Sequence, residues 1–229
     1  MTGENDGATR LDEKVGDAFD PALLLEARAR TRAAIDAIAA AIRPGMAEEA
    51  AMEMARQMLK ARGMLRGWHG IHVRFGRNTL KTFGEPGEPG VVLGEDDIFF
   101  IDIGPVWNGY EGDGGDTFVV GGDPAMQAAA RDVRTVFDRT HAAWRGEGLT
   151  GTALYERAAA EAAALGWELN LAMSGHRLSD FPHAVHYKGA LADSAHRPSS
   201  GLWVLEIQIR HPDRPFSAFY EDLLLDDAG

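Results

Sequence analysis

Two aspartates, Asp102 and Asp113, lie eleven positions apart with an Asn108-Gly109 dipeptide between them. An Asn-Gly step between two apolar, alternating runs is the strongest local signal for a β-hairpin, because both turn residues adopt positive φ. Centring the turn on this dipeptide pairs Asp102 with Gly115 and leaves Asp113 two positions along on the same face. Such diagonal neighbours lie roughly 7 to 8 Å apart, within reach of one cation or a close pair. Because two buried carboxylates without a counter-charge would be costly, the spacing indicates a metal site.

A second pair of acids occurs near the C-terminus, in two apolar runs that flank the turn-rich stretch 211–215. Centring that turn on Asp213-Arg214 places Glu206 opposite Glu221. Val, Leu, Ile and Tyr surround both acids, which indicates strands that are buried on at least one face. The alternative is a pair of solvated surface edges, and the apolar neighbours disfavour it.

Composition narrows the possible partners. The chain has 229 residues, 45% of them hydrophobic, and its net charge is −12, which disfavours nucleic acid and anionic lipid surfaces. No apolar run is long enough to span a bilayer, and residues 1–20 lack the apolar core of a secretory signal, so we expect a cytoplasmic protein. With no cysteine in the chain, any metal must bind to Asp, Glu, His and water.

The elements that must position these acids repeat along the chain. Residues 1–20 are polar and predict a mobile arm, and residues 21–229 predict a single domain. Periodicity and capping signals predict helices over 21–42, 47–62, 123–144 and 152–165. Each helix pair precedes strands with an acidic hairpin. This order predicts an α+β domain with a pseudo-twofold axis, in which both hairpins join one sheet and four carboxylates converge.

Five residues in the chain order Asp, Asp, His, Glu, Glu carry a family resemblance. They are Asp102, Asp113, His176, Glu206 and Glu221, in local contexts such as Ile101-Asp102-Ile103-Gly104, Gly175-His176 and Tyr220-Glu221-Asp222. Over about residues 21–226 the chain resembles the pita-bread metallopeptidase family, which includes methionine aminopeptidase, Xaa-Pro aminopeptidase, prolidase and creatinase. The resemblance implies a curved antiparallel sheet covered by two helix pairs. It also implies the catalytic domain alone, without the extra N-terminal domain of prolidase-like members.

By this resemblance the protein is a hydrolase that depends on two divalent metal ions and uses a water molecule that bridges them. Asp102 would chelate one ion, Asp113 and Glu221 would bridge the two, and His176 with Glu206 would complete the second site. Oxygen ligands with one imidazole favour Mn²⁺, with Co²⁺, Fe²⁺ or Zn²⁺ as alternatives. The Asn78-Thr79 turn and the context of Glu221 resemble Xaa-Pro aminopeptidase and prolidase more than methionine aminopeptidase.

The chain departs from the family pattern in two places. His183 lies seven residues after His176, where the family has a histidine that contacts substrate, but the residues around both histidines differ from the family pattern. Five residues after Asn78 the family has a further catalytic histidine, and this chain has Phe83. His69 or His72, on the preceding segment, is our hypothesis for a substitute.

Other functions fit the same residues. A creatinase-like enzyme would cleave a C–N bond of a small non-peptide substrate. A catalytically altered member that lacks the histidine at position 83 would keep the fold as a binding module. A homodimer in which the metals only stabilise the structure is the third alternative. The sequence therefore leaves the substrate open between a small peptide and another small molecule.

Overall fold

The computed structural model describes residues 11–64, 66–182 and 187–226. Four α-helices occupy the predicted segments: α1 (Pro21–Ala41), α2 (Glu48–Ala61), α3 (Pro124–Glu147) and α4 (Gly151–Ala164). Within the described ranges, eight strands form the rest of the framework: β1 (Gly67–Phe75), β2 (Asp97–Trp107), β3 (Tyr110–Glu111), β4 (Gly114–Val120), β5 (Glu168–Leu169), β6 (His176–Arg177), β7 (Trp203–Arg210) and β8 (Ser217–Leu223). None of the helices in these ranges combines the length and apolar character needed to cross a membrane.

Local chemistry explains where the two long helices begin. The Asp20 carboxylate accepts a hydrogen bond from the Ala22 N–H, and the Asp123 carboxylate accepts from two N–H groups in the first turn of α3. Proline is the first residue of each helix, where its missing N–H costs nothing. At the other end of α3, Gly148 adopts φ 66°, the left-handed conformation that glycine accepts most easily.

The strands form one antiparallel sheet in the order β1-β2-β4-β8-β7-β5, with β3 added to β2 and β6 added to β7. The two halves of the chain therefore contribute equivalent strands on either side of the central β4–β8 pair. One apolar cluster packs α1 and α2 on β1 and β2, and another packs α3 and α4 on β7 and β8. The predicted α+β organisation, with an antiparallel sheet and two helix pairs, is confirmed.

Both acidic hairpins have the predicted register. Asn108 and Gly109 adopt φ 49° and 79°, and Asp102 pairs with Gly115. In the second hairpin Glu206 pairs with Glu221. Gly115 also pairs with Glu221 where β4 meets β8, so the two hairpins join at the centre of the sheet.

Residues 11–20 pack against the domain, so the prediction of a mobile arm is wrong for this part of residues 1–20. Glu13 is buried and its carboxylate accepts hydrogen bonds from the Ser199 N–H at 2.9 Å and the Trp203 indole N–H at 2.8 Å. Phe19 contacts the ring of Tyr110, with 5.9 Å between ring centroids. Ser199, Trp203 and Tyr110 lie 90 or more positions away from their partners in this segment, so the polar composition of the segment did not reveal these contacts. Residues 1–10 of the predicted arm lie outside the described residues.

Candidate metal centre

Acidic and imidazole side chains from both halves meet beside the centre of the sheet. Two groups of three residues each have potential ligand atoms that all lie within 4.8 Å of one another: one group is His69, Asp102 and Asp113, and the other is Asp113, His176 and Glu221. Asp113 belongs to both. The three carboxylates are almost completely buried, with 1 to 5% of each residue exposed. The structure thus brings together four of the five residues that the resemblance implied as metal ligands.

Glu206, the fifth, belongs to neither group, but it lines a cavity that Asp102, His176 and Glu221 also line. Its Oε2 accepts a hydrogen bond of 2.7 Å from the Gly175 N–H. Gly175 directly precedes His176, and its φ of 75° is the left-handed conformation that favours glycine. This turn therefore orients a carboxylate on β7 and an imidazole on β6 together.

Two imidazoles flank Asp113. His69 Nε2 lies 2.9 Å from Asp113 Oδ1, and His176 Nε2 lies 3.0 Å from Asp113 Oδ2. Trp68 packs edge-on against both rings, at centroid distances of 4.7 Å to His69 and 5.0 Å to His176. The Trp68 indole N–H donates to the carbonyl of Gly112, which fixes the ring that separates the two histidines.

His69 reaches the centre because β1 is irregular. Between Gly67 and Ile71 β1 uses four residue steps where β2 uses two, from Pro105 to Ile103. In a regular strand His69 would share the face of Ile71, which packs towards α1 and α2. The bulge turns the side chain to the opposite face instead, a role that bulges commonly have beside functional sites.

Burial and mutual repulsion raise the pKa values of three of the carboxylates. Burial, together with the neighbouring charges of Asp113 and Glu206, outweighs His69 and raises the pKa of Asp102 to about 7. Burial and the repulsion of Asp113 and Asp102 raise the pKa of Glu221 well above its ordinary value. Burial also raises the pKa of Glu206. These three groups would gain most from a cation placed among them.

In Asp113 and the two imidazoles, by contrast, the pKa shifts favour the charged form of the side chain. Burial would raise the pKa of Asp113, but hydrogen bonds from His176 and His69 outweigh it and lower the pKa to about 2. Burial would lower the pKa of both histidines, yet the nearby carboxylates raise it to about 9 for His69 and about 10 for His176. Without a metal, the imidazoles supply the positive charge that the buried carboxylates require.

The residues fit a divalent metal ion. Glu221 Oε1 is buried and has no hydrogen-bond partner among the described residues, an arrangement that costs free energy unless another group binds it. The carboxylate and imidazole ligands match the donors of hard to borderline divalent metals.

A cavity of about 520 Å³ opens onto this centre. Its lining includes the carboxylates of Asp102, Glu206 and Glu221 and the apolar side chains of Trp68, Phe83 and Met173. A volume in this range suits a small molecule or a short peptide. The lining of the site therefore combines charged carboxylates with apolar side chains.

The remaining predicted site residues have different positions. His72 does not line this cavity; its ring stacks on His69 at 6.3 Å and contacts Phe83, and its Nε2 has no hydrogen-bond partner in the described part of the chain. Burial lowers the pKa of His72 to about 4. Phe83 is half exposed and packs edge-on against the ring of His69. His183 lies outside the described residues.

Comparison with known proteins assigns a family to the chain. The model of metallopeptidase family M24 matches residues 22–225, nearly the whole chain. A search of curated proteins found no match.

Several solved structures with the same fold are peptidases, and their sequence identity to this chain is low. X-Pro aminopeptidase from Thermotoga maritima MSB8 superposes with a TM-score of 0.76 and 17% identity, covering 95% of this chain and 63% of that one. The prolidase from Pyrococcus horikoshii OT3 gives a TM-score of 0.73 and 16% identity, covering 95% of this chain and 62% of that one. Dipeptidase PepE from Mycobacterium ulcerans gives a TM-score of 0.66 and 23% identity, covering 90% of this chain and 57% of that one. The chain thus spans less than two thirds of the length of these structures. The predicted pita-bread fold is confirmed.

Proposed function

The chain belongs to metallopeptidase family M24, and we propose that it is a hydrolase with a dinuclear metal centre that removes the N-terminal residue from short Xaa-Pro peptides. The observation that carries the proposal is the convergence of two acidic hairpins on one cavity. Asp102, Asp113, His176, Glu206 and Glu221 would hold the two cations. When bound, the cations would lower the pKa of a water molecule and polarise the carbonyl of the scissile bond.

The chain's own residues support this chemistry by holding the ligands in place. Asp222 follows Glu221 on β8 and so faces the other side of the sheet, where the Arg28 guanidinium of α1 donates two hydrogen bonds of 2.6 and 2.8 Å to it. The guanidinium of Arg32 donates to the main-chain carbonyl of Glu221. Helix α1 thereby fixes the strand that directs Glu221 into the cavity.

The cavity wall supports a substrate with an apolar ring. Trp68, Phe83 and Met173 offer apolar surface close to the carboxylates, which suits the pyrrolidine ring of proline. His183 stays a proposal for contacting the substrate, taken from its spacing after His176. Two of the similar structures are a prolidase and an X-Pro aminopeptidase, which agrees with this class of substrate.

A second candidate is hydrolysis of a C–N bond in a small non-peptide molecule, as in creatinase. The observation that favours it is Phe83 at the cavity wall, where an imidazole would otherwise assist the departure of a peptide amine. A panel of Xaa-Pro dipeptides and tripeptides, matched Xaa-Ala peptides, and small amidino and amide compounds separates the two. Hydrolysis confined to the last group would replace the peptidase proposal.

The main test combines metal content with activity. Protein purified without added metal is analysed for its elements, then loaded with Mn²⁺, Co²⁺, Fe²⁺ or Zn²⁺ in turn and assayed with the panel. We expect two ions per chain, and Glu206→Gln should lose both metal and activity. Glu168→Gln is the matched control, because Glu168 is exposed on β5 of the same sheet. Full activity in Glu206→Gln would contradict the role of that residue.

A further inference from the structure

We infer that His69 is an additional metal ligand, so that each half of the proposed centre has its own imidazole on either side of Asp113. This inference rests on the proposed dinuclear function. The resemblance implied five ligands with a single histidine, His176, and left His69 as a hypothetical catalytic residue. The contacts of His69 instead repeat those of His176 one by one.

Both histidines have the same hydrogen-bond pattern. His69 Nδ1 lies 2.6 Å from the carbonyl oxygen of Gly70, and His176 Nδ1 lies 2.9 Å from the carbonyl oxygen of Arg177. A carbonyl only accepts, so Nδ1 carries the proton and donates in each case. In the neutral ring this leaves a lone pair on Nε2, directed at Asp113. Metal-binding histidines commonly have this arrangement, with the distal N–H held by a carbonyl and the other nitrogen on the metal.

The spacing around Asp113 suits ligands that share an ion. Two ligand atoms at bond lengths of about 2.0 to 2.2 Å from one cation lie about 3 Å apart when their bonds are perpendicular. His69 Nε2 lies 2.9 Å from Asp113 Oδ1 and 3.6 Å from an oxygen of Asp102. The corresponding distance from His176 Nε2 to Asp113 Oδ2 is 3.0 Å. One carboxylate therefore offers each of its oxygens to a different imidazole.

The surroundings of His69 are shaped for its ring. Its side chain is only 6% exposed, between Trp68 on one side and Phe83 on another. A Cβ atom added at Gly104 would overlap the imidazole ring, so the absence of a side chain there makes room for it. Phe83, at the position where the family has a histidine, thus buttresses the imidazole that reaches the centre.

A second imidazole changes the expected metal. Nitrogen ligands favour Zn²⁺, Co²⁺ or Fe²⁺ relative to Mn²⁺, which prefers carboxylates and water. The wild-type protein should therefore prefer Zn²⁺ over Mn²⁺ more strongly than a variant without His69.

The test uses Co²⁺ added to metal-free protein, monitored by ¹H NMR and by calorimetric titration. Each imidazole bound to Co²⁺ through Nε2 gives an exchangeable, strongly shifted resonance from its Nδ1–H. We expect two such resonances in the wild type, one of which disappears in His69→Ala and the other in His176→Ala. His69→Ala should also weaken binding of one Co²⁺ by at least roughly 10- to 100-fold, the loss that follows removal of even an outer partner of a ligand. His72→Ala, which removes the neighbouring imidazole on β1, is the matched control and should keep both resonances.

Gly104→Ala guards against misfolding of His69→Ala, since it keeps every ligand but displaces the His69 ring, and it should lose the same resonance. Two bound Co²⁺ ions with a single shifted resonance, absent only in His176→Ala, would overturn the inference and leave the dinuclear centre intact. His69 would then be an imidazolium paired with Asp113. One Co²⁺ with both resonances would keep His69 as a ligand and reject the dinuclear function. Absence of Co²⁺ binding would reject both.

Discussion

Replacing Asp102 by Asn should stabilise the fold when metal is absent and destabilise it when metal is present. In the metal-free protein Asp102 is buried beside Asp113 and Glu206, and these neighbours oppose its ionisation. Asn has nearly the same shape and no charge, so the substitution removes this repulsion. With metal bound, the same substitution removes one of the proposed ligands and with it part of the stabilisation that binding adds to the folded state.

The pKa of Asp102 sets the size of the effect. The difference between its ordinary value of 3.8 and about 7 corresponds to at most about 4 kcal/mol of unfolding free energy, at about 1.4 kcal/mol per pH unit. A carboxyl whose pKa is higher in the folded state takes up protons on folding. Its cost is therefore complete above pH about 7, falls as the pH is lowered, and vanishes below about pH 4.

Urea denaturation in the presence of a chelator, at pH 8 and at pH 4, measures this difference. Asp102→Asn should unfold at higher urea than the wild type at pH 8, and the gap should close at pH 4. Asp213→Asn is the control, because Asp213 is exposed in the turn between β7 and β8. The reasoning is refuted if, in chelator at pH 8, Asp102→Asn unfolds at the same urea concentration as the wild type or at a lower one.

Three further substitutions test other parts of the structure. Asp222→Asn should lower the unfolding free energy by about 3 kcal/mol at pH 7 in urea titrations, because it breaks the ion pair of the buried Asp222 with Arg28. Burial would raise the pKa of Asp222, but hydrogen bonds from Arg28 and the charge of Arg32 outweigh burial and lower the pKa. The wild type should therefore be the more stable protein above pH about 4, and this difference should fade in stronger acid. Phe83→His should raise kcat on Xaa-Pro dipeptides by roughly 10-fold or more if the missing imidazole limits proton transfer, and an unchanged kcat would show that position 83 has no part in it. Asp123→Ala should cost about 1 kcal/mol in thermal or urea unfolding by removing the cap of α3, whereas Asp213→Ala should cost nothing measurable.

Local signals in the sequence were sufficient for the framework. The Asn108-Gly109 turn determines the register of the first hairpin, since any other pairing would put residues that disfavour positive φ into the turn. Proline after Asp20 and Asp123 marks the start of two helices within one residue. Each of these signals acts between neighbours in the chain. The order of strands could be inferred from them because the second half repeats the first.

Contacts between residues that lie far apart in the chain could not be predicted from the sequence. The position of Glu13 depends on Trp203, 190 residues away, and nothing near Glu13 in the chain reveals that partner. His69 is a similar case, since strict alternation along β1 would place its side chain on the helix-covered face. Only the two additional residue steps between Gly67 and Ile71 turn it towards Asp113. A bulge of this kind has no local sequence signature here, so His69 and His72 were equally good candidates until the register was known.

The pairing of Gly115 with Glu221 explains why the centre requires both halves of the chain. An added Cβ at Gly115 would overlap the ring of Phe219 and would lie 3.0 Å from Glu221 Oε1, so β4 must have glycine where it passes this carboxylate. The same glycine pairs with Asp102 on β2. Because Gly115 has no side chain, carboxylates from β2 and β8 can approach each other across β4 and reach Asp113. Local signals determine the register of each hairpin, but the acids of the two hairpins come together only where the halves meet.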